Sequence, residues 1–177
     1  MFKKDVAEIN EIVTSTDDNQ IKTIETMYNR EYTPERITEL KPNDIFVFGS
    51  NLAGAHGGGA ARLAYNRFGA IWGQGVGLQG QSYAIPTMQG GVETIKPYVD
   101  EFILFAKQHS EYKFLVTRIG CGIAAFTPEE IAPLFKDALD VENVILPKDF
   151  VEVLSRTLNN KCSSIITWDS EKDFLEK

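Results

Sequence analysis

The rhythm of apolar and polar positions changes near residue 43. Before it, Val6, Ile9 and Val13, then Ile21, Ile24, Met27 and Tyr28, recur at helical spacing among Asp, Glu, Lys, Asn and Thr. That pattern predicts two short amphipathic helices. No glycine falls in this stretch, and Pro34 and Pro42 precede the first strong strand. Residues 1–42 are therefore read as a helical extension packed on the core, with no chemistry visible in it. From residue 43 to 177 the chain is read as one compact α/β domain. Ile45 to Gly49 predicts a buried strand, Gly58 to Phe68 a helix stopped by Gly69, and Ser82 to Pro86 a second strand. Glu93 to His109 places Ile95, Val99, Phe102, Ile103 and Ala106 on one helical face. Phe114 to Ile119 predicts a strand. Thr127, with Pro128 after it and Glu130 three residues on, predicts a capping box opening a helix that runs to about Leu139. Asn143 to Leu146 reads as a short strand, Asp149 to Leu158 as a helix, and Ser164 to Trp168 as a last strand. Such alternation predicts an α/β sandwich around a mixed, largely parallel sheet.

Length and composition narrow the classes. A chain of 177 residues suits one domain with a substantial core. No apolar run approaches the roughly 20 residues that span a bilayer, and the start, Met1-Phe2-Lys3-Lys4-Asp5, has no apolar leader, so the expectation is a cytoplasmic protein without a membrane partner. A net charge of −7 argues against an extended nucleic-acid surface. An anion would have to be held by backbone N–H groups or by individually placed arginines such as Arg62, Arg67 or Arg118. Cys121 and Cys162, with His56 and His109, lack metal-ligand spacing, so neither a disulfide framework nor a zinc site is expected.

Three glycine loops carry the candidate chemistry. In the first, the strand ending at Ser50 and Asn51 leads to Gly57, Gly58 and Gly59, which open a helix. Bare backbone and unpaired N–H groups at a helix start suit an anion, whereas the bland alternative is tight helix packing. The second, Gly73 to Gln81, contains G-x-G-x-x-G at Gly75, Gly77 and Gly80 but runs into a strand, so it is read as a turn rather than a dinucleotide fingerprint. Its Gln74, Gln79 and Gln81 would offer amide donors to a polar ligand. The third, Arg118 to Phe126, again joins a strand to a helix. In a parallel sheet the first and third loops meet at one edge. Phe126 is either an aromatic wall for a ribose or a staple on the following helix. Cys121 is a small packing residue, or a nucleophile should His56 stand close enough to deprotonate it. His109 ends a helix and reads as a surface residue, and Trp72 as a core or rim residue that would border a pocket.

The segments Asp44-Ile45-Phe46-Val47-Phe48-Gly49-Ser50-Asn51, His56-Gly57-Gly58-Gly59 and Gly120-Cys121-Gly122-Ile123-Ala124-Ala125-Phe126 resemble the macro domain pattern over roughly residues 43 to 147. The run from Phe46 to Thr87 is similar to a bacterial and phage branch of macro-like proteins. The resemblance implies a three-layer α/β/α sandwich that binds ADP-ribose. It implies ligand contacts from Ser50, Asn51, Gly57, Gly58, Gly59, Gly120, Cys121, Gly122, Ile123, Ala124 and Phe126, with Asn51 and Phe126 at the distal ribose and both glycine runs at the diphosphate. Many hydrolytic members place an Asp after the glycines, where this chain has Ala60, Ala61 and Arg62.

The leading expectation is a binder of ADP-ribose or a related ribose-diphosphate nucleotide, requiring no cofactor. The alternative is an ADP-ribosyl hydrolase acting on ADP-ribosylated substrates, with Asn51 positioning a water or a substrate hydroxyl and His56 as general base. A third reading is a non-catalytic interaction protein with structural glycine loops.

Overall fold

The computed structural model describes residues 30–158 and 160 of the chain. The helices expected around residues 6–28 and the strand expected at 164–168 lie outside them.

The apolar run that follows Asn43 forms β1 (Asp44–Ser50), buried along nearly its whole length. It sits at the centre of a five-stranded sheet with β2 (Gly77–Gln79), β3 (Ser82–Pro86), β4 (Lys113–Val116) and β5 (Val144–Ile145), in the order β2-β3-β1-β4-β5. β1 pairs parallel with β3 and β4, β4 pairs parallel with β5, and only β2 runs antiparallel to its neighbour β3. Burial on both faces is why β1 reads as a continuous apolar run rather than an alternating one. Among the described residues four α-helices accompany the sheet: α1 (Gly59–Arg67), α2 (Val92–Gln108), α3 (Pro128–Ile131) and α4 over residues 148–158. The α/β fold with a mixed, mostly parallel sheet is thus as the alternation of elements predicts.

The two side-chain parities of the sheet pack on different partners. Phe46 and Phe48 of β1, Ala84, Leu115 and Ile145 form one buried cluster with Ala61 and Ala64 of α1 and with Phe68. On the other parity, Tyr83 and Phe114 meet Phe102 of α2 with ring centres 5.1 and 5.4 Å apart, and Phe102 in turn faces Phe135 at 6.4 Å. Each fully buried phenyl ring contributes about 1.5–3 kcal/mol relative to exposure.

The structure revises three local expectations. The helix expected to run from Thr127 to Leu139 has its capping box, with Thr127 N donating to Glu130 Oε2 at 2.8 Å, yet the α-helix ends at Ile131 and continues as a 3-10 helix over Ala132–Ala138. Pro133 is the cause: it has no N–H for Glu129 O, and its ring crowds that carbonyl. The second loop holds a strand, β2, which turns into β3 through Gly80 and Gln81. Gly80 has φ +57°, and a Cβ there would stand 2.8 Å from Gly69 Cα, so the turn closes glycine on glycine against the end of α1. Third, residues 31–42 hold no helix. Tyr32 bridges Leu146 beyond β5, and Thr33 donates from its N–H to Leu146 O at 2.9 Å and from its hydroxyl to Ile145 O at 2.8 Å.

β1 lies between β3 and β4, so the chain leaves β1 toward one side through α1 and returns on its other side through α2. Loops that diverge in this way open a crevice at the carboxyl ends of the strands.

Candidate functional site

A cavity of about 210 Å³ occupies that crevice. Ser50, Asn51, Gly58 and Gly59 line it from the loop after β1, and Gly120, Gly122, Ile123 and Ala124 from the loop after β4. The two loops singled out in the sequence therefore do converge. Thr87 and Met88, at the end of β3, and Thr117 and Arg118, at the end of β4, complete the walls. Thr87 and Met88 follow the strand Ser82–Pro86, and their place at a strand's carboxyl end was the signal that marks them.

Two kinds of glycine stand out in the domain. A Cβ on Gly54 would lie 2.3 Å from Gln74 N, and one on Gly75 would lie 2.2 Å from Asn51 O, so these two are glycine because backbone packs on backbone. At Gly57, Gly59 and Gly122 a Cβ would meet nothing within 4 Å, and at Gly58 it would meet only Ile123 Cδ1, at 3.1 Å. Tight packing does not explain the triplet or Gly122. Gly59 has a conformational reason of its own, φ +53°. The first α1 amide bonded along the helix is Arg62 N, to Gly58 O at 3.1 Å. The N–H groups of Gly59, Ala60 and Ala61 precede it, where an α-helix supplies no acceptor.

The second glycine loop is the brace behind the first. Gly73 N donates to Gly54 O at 2.9 Å, the Ser50 hydroxyl donates to Gly75 O, and His56 Nε2 lies 3.1 Å from Gln74 O. Gln74 Nε2 donates to Val76 O and Leu78 O, Gln79 Nε2 to Gln74 O, and Gln81 Nε2 to Lys41 O. The glutamine amides expected to serve a ligand are thus bonded to main-chain carbonyls, because a glycine-rich loop has many carbonyls to satisfy. Asn51 is likewise engaged: its Nδ2 donates to Ala55 O at 2.9 Å and its Oδ1 accepts from Ala55 N at 3.0 Å.

Other candidates stand away from the cavity walls. His56 is 1% exposed, edge-on to Phe48 with ring centres 5.3 Å apart. Its Nε2 faces a carbonyl, which only accepts, so the proton resides there, and Nδ1 has no partner among the described residues. Trp72, 56% exposed, stands edge-on to Tyr65 at 5.7 Å. Cys121 is half-buried, and burial pushes its thiol above the ordinary range despite the opposing field of Arg118. It is therefore a thiol, not a thiolate, at neutral pH. Phe126 is half-buried with a ring edge 3.4 Å from where a Cβ on Gly120 would be, and Gly57 is exposed on the rim side of the triplet. Ala125, between the lining residues and Phe126, holds φ +60°, a strained conformation for a residue with a side chain.

A second, larger cavity of about 770 Å³ adjoins the first, and Ala60, Thr117 and Arg118 line both. Its other walls come from residues 33–37 and from the start of α4. No local pattern marked residues 33–37, which are brought here by contacts distant in sequence, the bridge of Tyr32 to Leu146 and the bonds of Thr33 to Ile145 and Leu146. Arg118 Nε lies 2.6 Å from Asp149 Oδ2, and Asp149 Oδ1 accepts from Phe150 N at 3.0 Å.

Among the described residues, no helix is long and apolar enough to cross a membrane, and no three His, Cys, Asp or Glu residues are grouped to hold a metal ion. Comparison with known protein families, with curated proteins and with solved structures returned no match.

Proposed function

We propose that the protein binds ADP-ribose, or a related ribose-diphosphate nucleotide, in the crevice between the loops after β1 and β4. The observation that carries this reading is that Gly58, Gly59 and Gly122, none of them held to glycine by backbone packing, line a cavity where two strand-to-helix loops meet. Bare backbone lets an anion approach closely, and the first-turn N–H groups of α1 supply donors and positive potential. Under this reading the chain is macro-like, with α1 and α2 as the outer layers of a three-layer sandwich. The packing of α1 on the Phe46 parity and of α2 on the Tyr83 parity supports that arrangement.

Binding is favoured over hydrolysis. His56 is buried against Phe48, away from the cavity, and the Asn51 amide is closed on Ala55. Asn51 serves by holding its loop in shape beside the ligand.

Titration calorimetry with ADP-ribose tests the reading. The wild-type chain should release heat with a saturable isotherm, and Gly58→Glu should not. Gly58 lines the cavity, and a Cβ there meets only the flexible tip of Ile123, so the substitution sets a carboxylate at the cavity wall with little strain on the fold. A ligand present at 100 times its Kd should also stabilise the fold by about 2.7 kcal/mol. Absence of heat at millimolar ADP-ribose would rule the reading out.

A further inference from the structure

The larger cavity and the position of Arg118 are not used by a glycine cradle alone. Among the described residues lining the smaller cavity, Arg118 is the only charged one, and it also lines the larger cavity. Arg118 is thus the one side chain of the smaller cavity that can offer charged N–H donors to an anion, at a place that both cavities share. Asp149 engages the guanidinium at Nε, and is itself fixed at the start of α4 through Phe150 N. A guanidinium has four further N–H donors on its terminal nitrogens, in a planar fork that fits two oxygens of a phosphate.

We propose that the two cavities form one two-chambered groove, and that Arg118, oriented by Asp149, is the phosphate-binding side chain at the passage between them. The ligand class is then one whose phosphates join a group in the glycine chamber to a second group in the larger chamber. The larger chamber has mixed charge, with Arg36 and Lys148 beside Glu35 and Glu152, which suits a polar uncharged group rather than a second anion. This inference rests on the binding reading above and adds to it a side-chain charge contact at the phosphates. Arg118 is the binding residue, and Asp149 is a positioning residue that acts through it.

The experiment measures ADP-ribose affinity by calorimetry for wild type, Arg118→Ala, Arg118→Lys, Asp149→Asn and Gly58→Glu, each at about 50 and about 300 mM NaCl. Arg118→Ala should weaken binding about tenfold at low salt, and its gap from wild type should narrow at high salt. Arg118→Lys should recover part of the loss, since it keeps the charge but not the fork. Asp149→Asn should lose about threefold in the wild-type background and nothing further where Arg118 is already Ala, which a merely structural defect would not do. The Arg118 side chain is 61% exposed, so its truncation leaves the fold intact, checked by an unchanged melting temperature. Equal affinity of Arg118→Ala and wild type, with Gly58→Glu inactive, would overturn this inference and leave the binding reading standing. A loss on Arg118→Ala that is the same at both salt concentrations would also overturn it. Failure of the wild type to bind would overturn both.

Discussion

The Asn51 side chain forms a closed pair with the backbone of Ala55, donating to its carbonyl at 2.9 Å and accepting from its N–H at 3.0 Å. This clasp turns the chain out of β1 and sets where the glycine triplet begins. Asn51→Asp keeps the acceptor but sets a carboxylate oxygen against Ala55 O. It should destabilise the fold by about 1 kcal/mol, read as a lower denaturant midpoint with an unchanged slope. Asn51→Ala should show a similar loss and weaker ADP-ribose binding. Unaltered stability in both variants would contradict a clasping role.

The two kinds of glycine should separate in a stability measurement. Gly75→Ala drives a Cβ to within 2.2 Å of Asn51 O and 2.8 Å of Leu52 O, both main chain, and should cost roughly 2 kcal/mol or more. Gly122→Ala meets nothing within 4 Å and should leave stability within about 0.5 kcal/mol of wild type, while weakening ligand binding. Chemical denaturation gives the first quantity and calorimetry the second.

Stability should fall on the alkaline side because of Tyr83. Burial, reinforced by the charge of Glu101, pushes its hydroxyl from 10.0 up to about 12. Above pH 10 the unfolded chain loses this proton while the folded chain keeps it, so the unfolded state binds fewer protons and stability drops as pH rises. The contribution is fully present below pH 10 and lost through about 12. Urea midpoints taken across that window should decline less steeply for Tyr83→Phe than for wild type.

Much of this molecule could be read from its residues, for identifiable reasons. Ile45 to Phe48 is apolar without interruption because both faces of β1 are covered, and α2 follows its 3.6-residue spacing through Ile95, Val99, Phe102 and Ala106. The convergence of the loops at Asn51 and Gly122 followed from strand-loop-helix units in a parallel sheet. What escaped had a physical cause in each case. Gly77 to Gln79 is a strand that lacks side-chain alternation, held by pairing with β3. The larger cavity depends on Thr33 meeting Ile145 across 112 positions, which no local pattern encodes. His56 had the right chemistry for a base, and only its packing against Phe48 places it in the interior.

The two arms of the crevice approach each other where Ile123 Cδ1 stands 3.1 Å from the place a Cβ on Gly58 would take. Ile123 is 74% exposed, so no neighbouring packing locks its rotamer. An exposed side chain of this kind changes rotamer in picoseconds to nanoseconds. A side chain free to turn therefore stands between the two backbone arms.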